Sequence, residues 1–322
     1  MNLDFTGSSL FFVLVLFVAG LVCIIKGGDL FVDAATWIAE ASGIPKFIIG
    51  ATVVSFATTM PEMLVSVFAA LEGNAVGSVT ANLGLIMCIS LICMPCMMSR
   101  RQFGVKSCLL LAAIAVLFAF TRDGLLSVPE SCAILLVFAG FVAESLISAR
   151  REQGTETAAA DERPATDKKT ALINIGKFIL GAAAIVLGAQ LLIDNGSALA
   201  RMIGVPDSVI AATMIAIGTS LPELVTTLTA IKKKQSSLSV GNIIGANIMD
   251  LTLIMPLCAL ILGKPLTVER QGMLLDIPGC LIICAAALVP ALASGRFKRW
   301  IGFLIGGLYI VYLVVMFVCF GA

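Results

Sequence analysis

Apolar residues dominate this chain in long uninterrupted runs, separated by short polar clusters. Leu10 to Ile25 is one such run, with polar residues on both sides. A helix needs about 20 residues to cross the hydrocarbon of a bilayer, and runs of that order recur down almost the whole length. Read in turn, they predict ten spans at 9–41, 46–71, 73–98, 106–121, 128–149, 171–202, 207–231, 238–262, 272–293 and 297–320. The first and sixth are long enough to tilt or to project past the bilayer. The only extended polar stretch, Arg150 to Thr170, reads as a flexible linker. It divides the chain into 1–149, 150–170 and 171–322.

Basic residues sort by side. Lys46, Arg100, Arg101, Lys106, Arg150, Arg151, Arg163, Lys168, Lys169, Lys232 to Lys234, Arg296, Lys298 and Arg299 fall on one side of the predicted membrane. Only Arg122, Arg201, Lys264 and Arg270 fall on the other. The positive-inside rule makes the first side cytoplasmic and leaves both termini outside. Composition agrees with a membrane chain: 59% of the 322 residues are hydrophobic and 13% charged, where a soluble domain carries about a quarter charged residues. A net charge of +1, with no basic cluster interleaved with aromatics, gives no sign of nucleic-acid binding. The ten cysteines lie mostly inside apolar runs and read as free thiols rather than a disulfide framework. Histidine is absent, which removes the commonest proton shuttle and transition-metal ligand. The tail Met1 to Ser9 carries Asp4 and no basic residue, unlike a cleaved signal peptide.

The chain also repeats itself. Residues 27–71 align without a gap to 188–232, pairing Asp33 with Asp194, Gly43 with Gly204, Pro45 with Pro206, Pro61 with Pro222 and Glu62 with Glu223. After loops of unequal length, GNAVGSVTANLGL at 73–85 lies against GNIIGANIMDLTL at 241–253, so that Asn82 meets Asp250. Five spans per copy is an odd number, so the second copy must enter the membrane from the opposite face. The fold class expected is therefore an all-α integral membrane protein, ten helices in two inverted five-helix repeats.

Polar residues inside the apolar helices carry the candidate chemistry. Glu62 and Glu223 each close a Thr-(Thr/Ser)-x-Pro-Glu segment: Thr58, Thr59, Pro61, Glu62 and Thr219, Ser220, Pro222, Glu223. An ionisable group at such depth costs at least about 2.5–3.5 kcal/mol and normally faces a cavity or a partner. Proline breaks the helix a turn before it and should release carbonyls around Ala57–Thr58 and Gly218–Thr219. Asn74, Ser78 and Asn82 stand four residues apart, as do Asn242, Ala246 and Asp250. Carboxylates, hydroxyls and free carbonyls on one helix face are hard oxygen ligands, suited to Na+ and Ca2+. A proline-kinked helix or a single Asn is ordinary membrane architecture; the duplicated buried carboxylates argue for a site. Lys26, Asp29, Asp33 and Asp194 are weaker signals, with Lys26 and Asp29 spaced to pair on one helix face.

At these residues the chain resembles the cation/Ca2+ exchanger superfamily, and within it the prokaryotic Na+/Ca2+ exchanger branch. GATVVSFATTMPE (50–62) and AATMIAIGTSLPE (211–223) are similar to the two alpha-repeat signatures of that family, and GNAVGSVTAN and GNIIGANIMD to their second parts. The resemblance implies an antiporter, not an enzyme, that exchanges Na+ for Ca2+ by alternating access. It implies an ion site at the centre of helices 2, 3, 7 and 8, and long helices 1 and 6 that slide across that core. Carried over, the central ligands are Glu62, Asn82, Glu223 and Asp250. Thr58, Thr59, Ser78, Thr219 and Ser220 match flanking ligands, while Ser55 and Ala216 match backbone carbonyl positions. Ca2+ and Na+ are then substrates, with no cofactor and no protein partner implied, and the location is the inner membrane of a prokaryotic cell. The chain departs from the family pattern at Val79, which stands where the second copy has Asn247, and at Ala246, which replaces a serine. No Glu lies inside the GN motifs, where H+/Ca2+ members usually place one, which favours Na+ over H+ as the coupling ion. An H+- or K+-linked Ca2+ exchanger is the nearest alternative. A soft-metal-binding protein built on Cys93, Cys96 and their methionine neighbours is the alternative from another class.

Overall fold

A computed structural model describes residues 10–59, 75–98, 100–153, 167–204, 220–268 and 270–320. Glu62, Ala216 and Thr219 lie outside these residues. Continuous helix within the described residues forms ten segments. They are α1 (Leu10–Ser42), α2 (Lys46–Thr59), α3 (Ala75–Ala81 running on to Cys93), α4 (Arg100–Phe120) and α5 (Val128–Gln153). The second group is α6 (Lys168–Met202), α7 (Leu221–Lys232), α8 (Ser236–Leu262), α9 (Gly272–Ser294) and α10 (Arg299–Phe320). All but α2 and α7 are long and apolar enough to cross a membrane, which makes eight such helices among the described residues.

Local chemistry sets the helix ends. Gly43 takes φ 66° after α1, and Gly204 takes φ 85° after α6. A residue with a Cβ is strained in this left-handed conformation, whereas glycine is not. The Ile44 N–H closes back onto the Ala39 carbonyl at 3.2 Å, a Schellman-type stop. Pro45 then sits at the N-cap of α2. The repeat pairs Gly43 with Gly204, so the two copies of the long helix end by the same device.

Close approach of backbones holds the bundle together. Helices α1 and α6 pack antiparallel along most of their length. A Cβ placed at Gly27 would lie 2.8 Å from Ala184 Cβ and 3.0 Å from the Gly181 carbonyl oxygen. One placed at Gly20 would lie 3.0 Å from the Gly188 carbonyl oxygen. Gly27 corresponds to Gly188 in the repeat, and the same offset carries Gly20 onto Gly181, so each glycine faces the counterpart of the other. Phe31 and Phe178 stack beside this seam with ring centres 4.6 Å apart. Helix α8 forms the centre: every residue from Leu238 to Asp250 is buried. Helix α2 lies against it through Gly241 and Gly245, where a Cβ would collide with the Phe47 and Ala51 carbonyl oxygens.

Two short strand pairs tie the helix ends. Strands β1 (Cys96–Met97) and β4 (Arg296–Phe297) pair antiparallel, with Cys96 opposite Phe297; β2 (Leu125–Leu126) and β3 (Leu266–Thr267) pair with Leu126 opposite Leu266. The connections after α3 and α9 thus share one end of the bundle, and those after α4 and α8 share an end of their own.

One boundary differs from expectation. Helix α4 begins at Arg100 rather than near 106, so Lys106 lies within a helix and not in a connection. Lys106 is fully buried, pairs with Glu144 at 2.5 Å and lies 5.9 Å from the centre of the Phe47 ring. Glu144 also accepts from the Ser148 hydroxyl. A lysine this well compensated can pack inside the bundle, so its charge does not mark a membrane boundary.

Candidate ion site

The interior polar residues gather where α2, α3, α7 and α8 meet. Glu223 stands in the first turn of α7, which opens with Leu221 and Pro222 behind Ser220 as N-cap residue. Proline is tolerated there because the first-turn N–H groups have no helical partner anyway. Those free N–H groups and the helix dipole favour a negative charge at this end. Glu223 is fully buried. Its Oε1 accepts from the Thr59 hydroxyl at 3.4 Å. Oε2 has no hydrogen-bond partner among the described residues.

Thr58 links α2 to α8: its hydroxyl lies 3.2 Å from the Ser55 carbonyl and 3.3 Å from Asn242 Oδ1. Asn82 and Asp250, which the repeat pairs, each open a π-turn, Asn82–Ile86 in α3 and Asp250–Ile254 in α8. Such turns insert an extra residue into the helix, shift the carbonyls that follow and are frequent at functional sites. Both side chains are fully buried. Asn82 Nδ2 donates to Asn247 Oδ1 at 3.1 Å. The first part of α3, which carries Ser78, packs on the π-turn of Asp250, and α7 packs on that of Asn82.

All the expected ligands that fall in the described residues are buried: Ser55, Thr58, Thr59, Ser78, Asn82, Ser220, Glu223 and Asp250. A direct hydrogen bond joins Thr59 to Glu223; Ser55 instead bonds the Thr52 carbonyl, with Met249 Sδ 4.0 Å away. Buried polar atoms in proteins almost always find partners. Glu223 Oε2, Asn82 Oδ1, Asn242 Nδ2, Asn247 Nδ2 and Ser220 Oγ find none among the described residues. Oxygens left open around a buried carboxylate are what a hard cation requires. Asn242 and Asn247 were not among the expected ligands. Asn242 belongs to the four-residue row that ends at Asp250; Asn247 stands one position off it, and its mark in the sequence is that the first copy carries Val79 at the equivalent place.

The weaker signals have structural uses. Asp29 pairs with Lys232 at 3.2 Å and Lys233 at 3.6 Å, not with Lys26, and Asp33 pairs with Lys233 at 2.7 Å. The Lys232–Lys234 run, expected only to anchor the topology, thus also joins α7 to α1. Cys93 is exposed and Cys96 buried, both as free thiols. Among the described residues no group of three or more His, Cys, Asp or Glu is placed to hold a metal.

Apolar helices enclosing a buried, oxygen-lined polar cluster define an integral membrane protein with a polar centre. Comparison with known proteins adds the family. The profile of the sodium/calcium exchanger protein family matches residues 12–146 and 173–318, and the chain belongs to that family. It is 29% identical to the sodium/calcium exchanger MaX1 of Methanosarcina acetivorans, over 92% of this chain and 96% of that protein. It is 31% identical to the inner membrane protein YrbG of Escherichia coli, over 94% and 96%. A solved structure of the sodium–calcium exchanger NCX_Mj superposes with a TM-score of 0.81 at 25% identity, covering 95% of this chain and 99% of that one.

Proposed function

We propose that this protein is a secondary antiporter that exchanges Na+ for Ca2+ by alternating access. The observation that carries this reading is the buried carboxylate of Glu223, one oxygen held by Thr59 and the other without a partner among the described residues. Family membership and the names of its relatives support Na+ and Ca2+ as the substrates. The ligands are Glu62, Glu223, Asp250 and Asn82, with Ser55, Thr58, Thr59, Ser78, Ala216, Thr219 and Ser220 around them. Three carboxylates carry formal charge −3: three Na+ balance it, while one Ca2+ leaves −1. The two cations compete for the same oxygens, so occupancy is exclusive, and only a filled site crosses the barrier between states.

Two inverted five-helix repeats, 1–149 and 171–322 joined by 150–170, make alternating access possible, because the halves can exchange conformations. The ten helical segments support this reading. So does the antiparallel glycine seam of α1 and α6, in which each copy contacts the counterpart residue of the other. The strand pairs agree as well, since equivalent connections of the two copies emerge at opposite ends of the bundle. The protein belongs in the inner membrane with both termini outside.

Flux in proteoliposomes tests the reading. Ca2+ uptake should accelerate when an opposed Na+ gradient is imposed and not when a K+ or pH gradient replaces it. Equal uptake with and without the Na+ gradient refutes Na+ coupling; acceleration by K+ or protons reassigns the coupling ion.

A further inference from the structure

We infer that Asn247 is a positioning residue for the ion site: it turns the Asn82 amide so that the carbonyl oxygen, not the NH2 group, meets the transported cations. The inference rests on the antiport reading above. An asparagine side chain has a donor end and an acceptor end, and only the oxygen can ligate a cation. Beside buried carboxylates, an unrestrained amide presents its NH2 group to them and competes with the cations for negative charge. Asn247 prevents this from the other side. Its Oδ1 accepts from Asn82 Nδ2 at 3.1 Å, and both residues are fully buried. Asn82 Oδ1 is then left with no partner among the described residues. Reversing both amides would occupy that oxygen with Asn247 and aim an NH2 group at the cations, so a filled site selects the first arrangement.

The broken repeat gives the same answer. The position equivalent to Asn247 in the first copy is Val79, fully buried and without a side-chain polar atom. By the repeat, residue 79 relates to Asp250 as Asn247 relates to Asn82. A carboxylate is an acceptor at both oxygens and has no wrong end to present. The clamp is present where the ligand is an amide and missing where the ligand is a carboxylate.

A double-mutant cycle in proteoliposomes tests this. Asn82→Ala identifies which half-saturating concentration, Na+ or Ca2+, depends on Asn82. Asn247→Leu should raise the same one roughly three- to tenfold, the worth of one neutral hydrogen bond. In the Asn82→Ala background it should add less than about twofold, because it acts only through Asn82. Asn247→Asp keeps the acceptor and should not raise that concentration. Val79→Asn adds a donor toward Asp250 and should raise half-saturating Ca2+. If Asn247→Leu does not fold, Asn247→Ala takes its place in the cycle. Independent effects in the double variant, an Asn247→Leu variant that loses only maximal rate or amount of folded protein, or an Asn82→Ala variant with both midpoints unchanged would each overturn the inference. Absence of Na+-driven Ca2+ flux in the unmodified protein would instead reject the antiport reading itself.

Discussion

Replacing Glu223 with Gln removes one formal charge and keeps the shape of the side chain. This carboxylate is fully buried, and Oε2 has no partner among the described residues. A buried carboxylate charge costs more to desolvate than a neutral amide of the same shape, so the neutral variant should be more stable than the parent when Na+ and Ca2+ are absent. With Ca2+ bound the sign reverses. Losing one member of a buried charge pair costs about 3–5 kcal/mol, which weakens binding by roughly 150-fold to 5000-fold. Thermal unfolding in detergent, with and without Ca2+, reads both effects. At a Ca2+ concentration of about 100 Kd the parent gains about 2.7 kcal/mol by mass action, while a variant bound 150-fold more weakly gains about 0.3 kcal/mol. A variant less stable than the parent without ions, yet equally stabilised by Ca2+, would make Glu223 a structural residue and refute the site.

Three further outcomes follow from the packing. Gly245→Val drives a side chain into the Ala51 carbonyl and Ser55 hydroxyl; it should cost about 1–3 kcal/mol in thermal unfolding by overpacking and shift the Ca2+ midpoint by displacing α2. Lys106→Ala or Glu144→Ala should each destabilise by about 3–5 kcal/mol, whereas Lys106→Met with Glu144→Leu should recover most of that in the same assay. Outside the membrane, Asp167 caps α6: its bonds from the Thr170 hydroxyl and N–H hold its carboxyl below the usual carboxylate range. A depressed folded-state value means the cap acts above the ordinary pKa and is lost as pH falls through the lowered one. Hydrogen exchange at the start of α6 should therefore be faster in Asp167→Ala than in the parent at neutral pH, and the two should converge in acid.

The features readable from the chain are those in which one segment carries its own signal. Pro222 before Glu223, and Gly43 before Pro45, each impose a local conformation that no distant contact needs to supply. The π-turns at Asn82 and Asp250 had no such signature, since no residue type demands a π-turn and helix packing on either side decides it. The partners of Asp29 and Asp33 were equally hidden, because they lie about 200 residues away on α7. Lys106 misled for a related reason: a basic residue near a helix end reads as a boundary until Glu144 on another helix is known to neutralise it.

The sequence by itself determined the membrane, the repeat and the residue types of the candidate site, because apolar runs, duplicated motifs and carboxylates within apolar runs are properties of composition and order. Lipid and protein interior are alike to a side chain, however, and helices of similar apolarity met opposite fates. Helix α8 is buried inside the protein over most of its length, whereas α5 and α6 leave most of theirs exposed or half-buried. Only the tertiary structure decided which helix became the centre, which glycines let α2 and α8 close on each other, and that Asn247 would hold Asn82. Those outcomes depend on what lies across the interface, and a helix does not record its neighbours in its own periodicity.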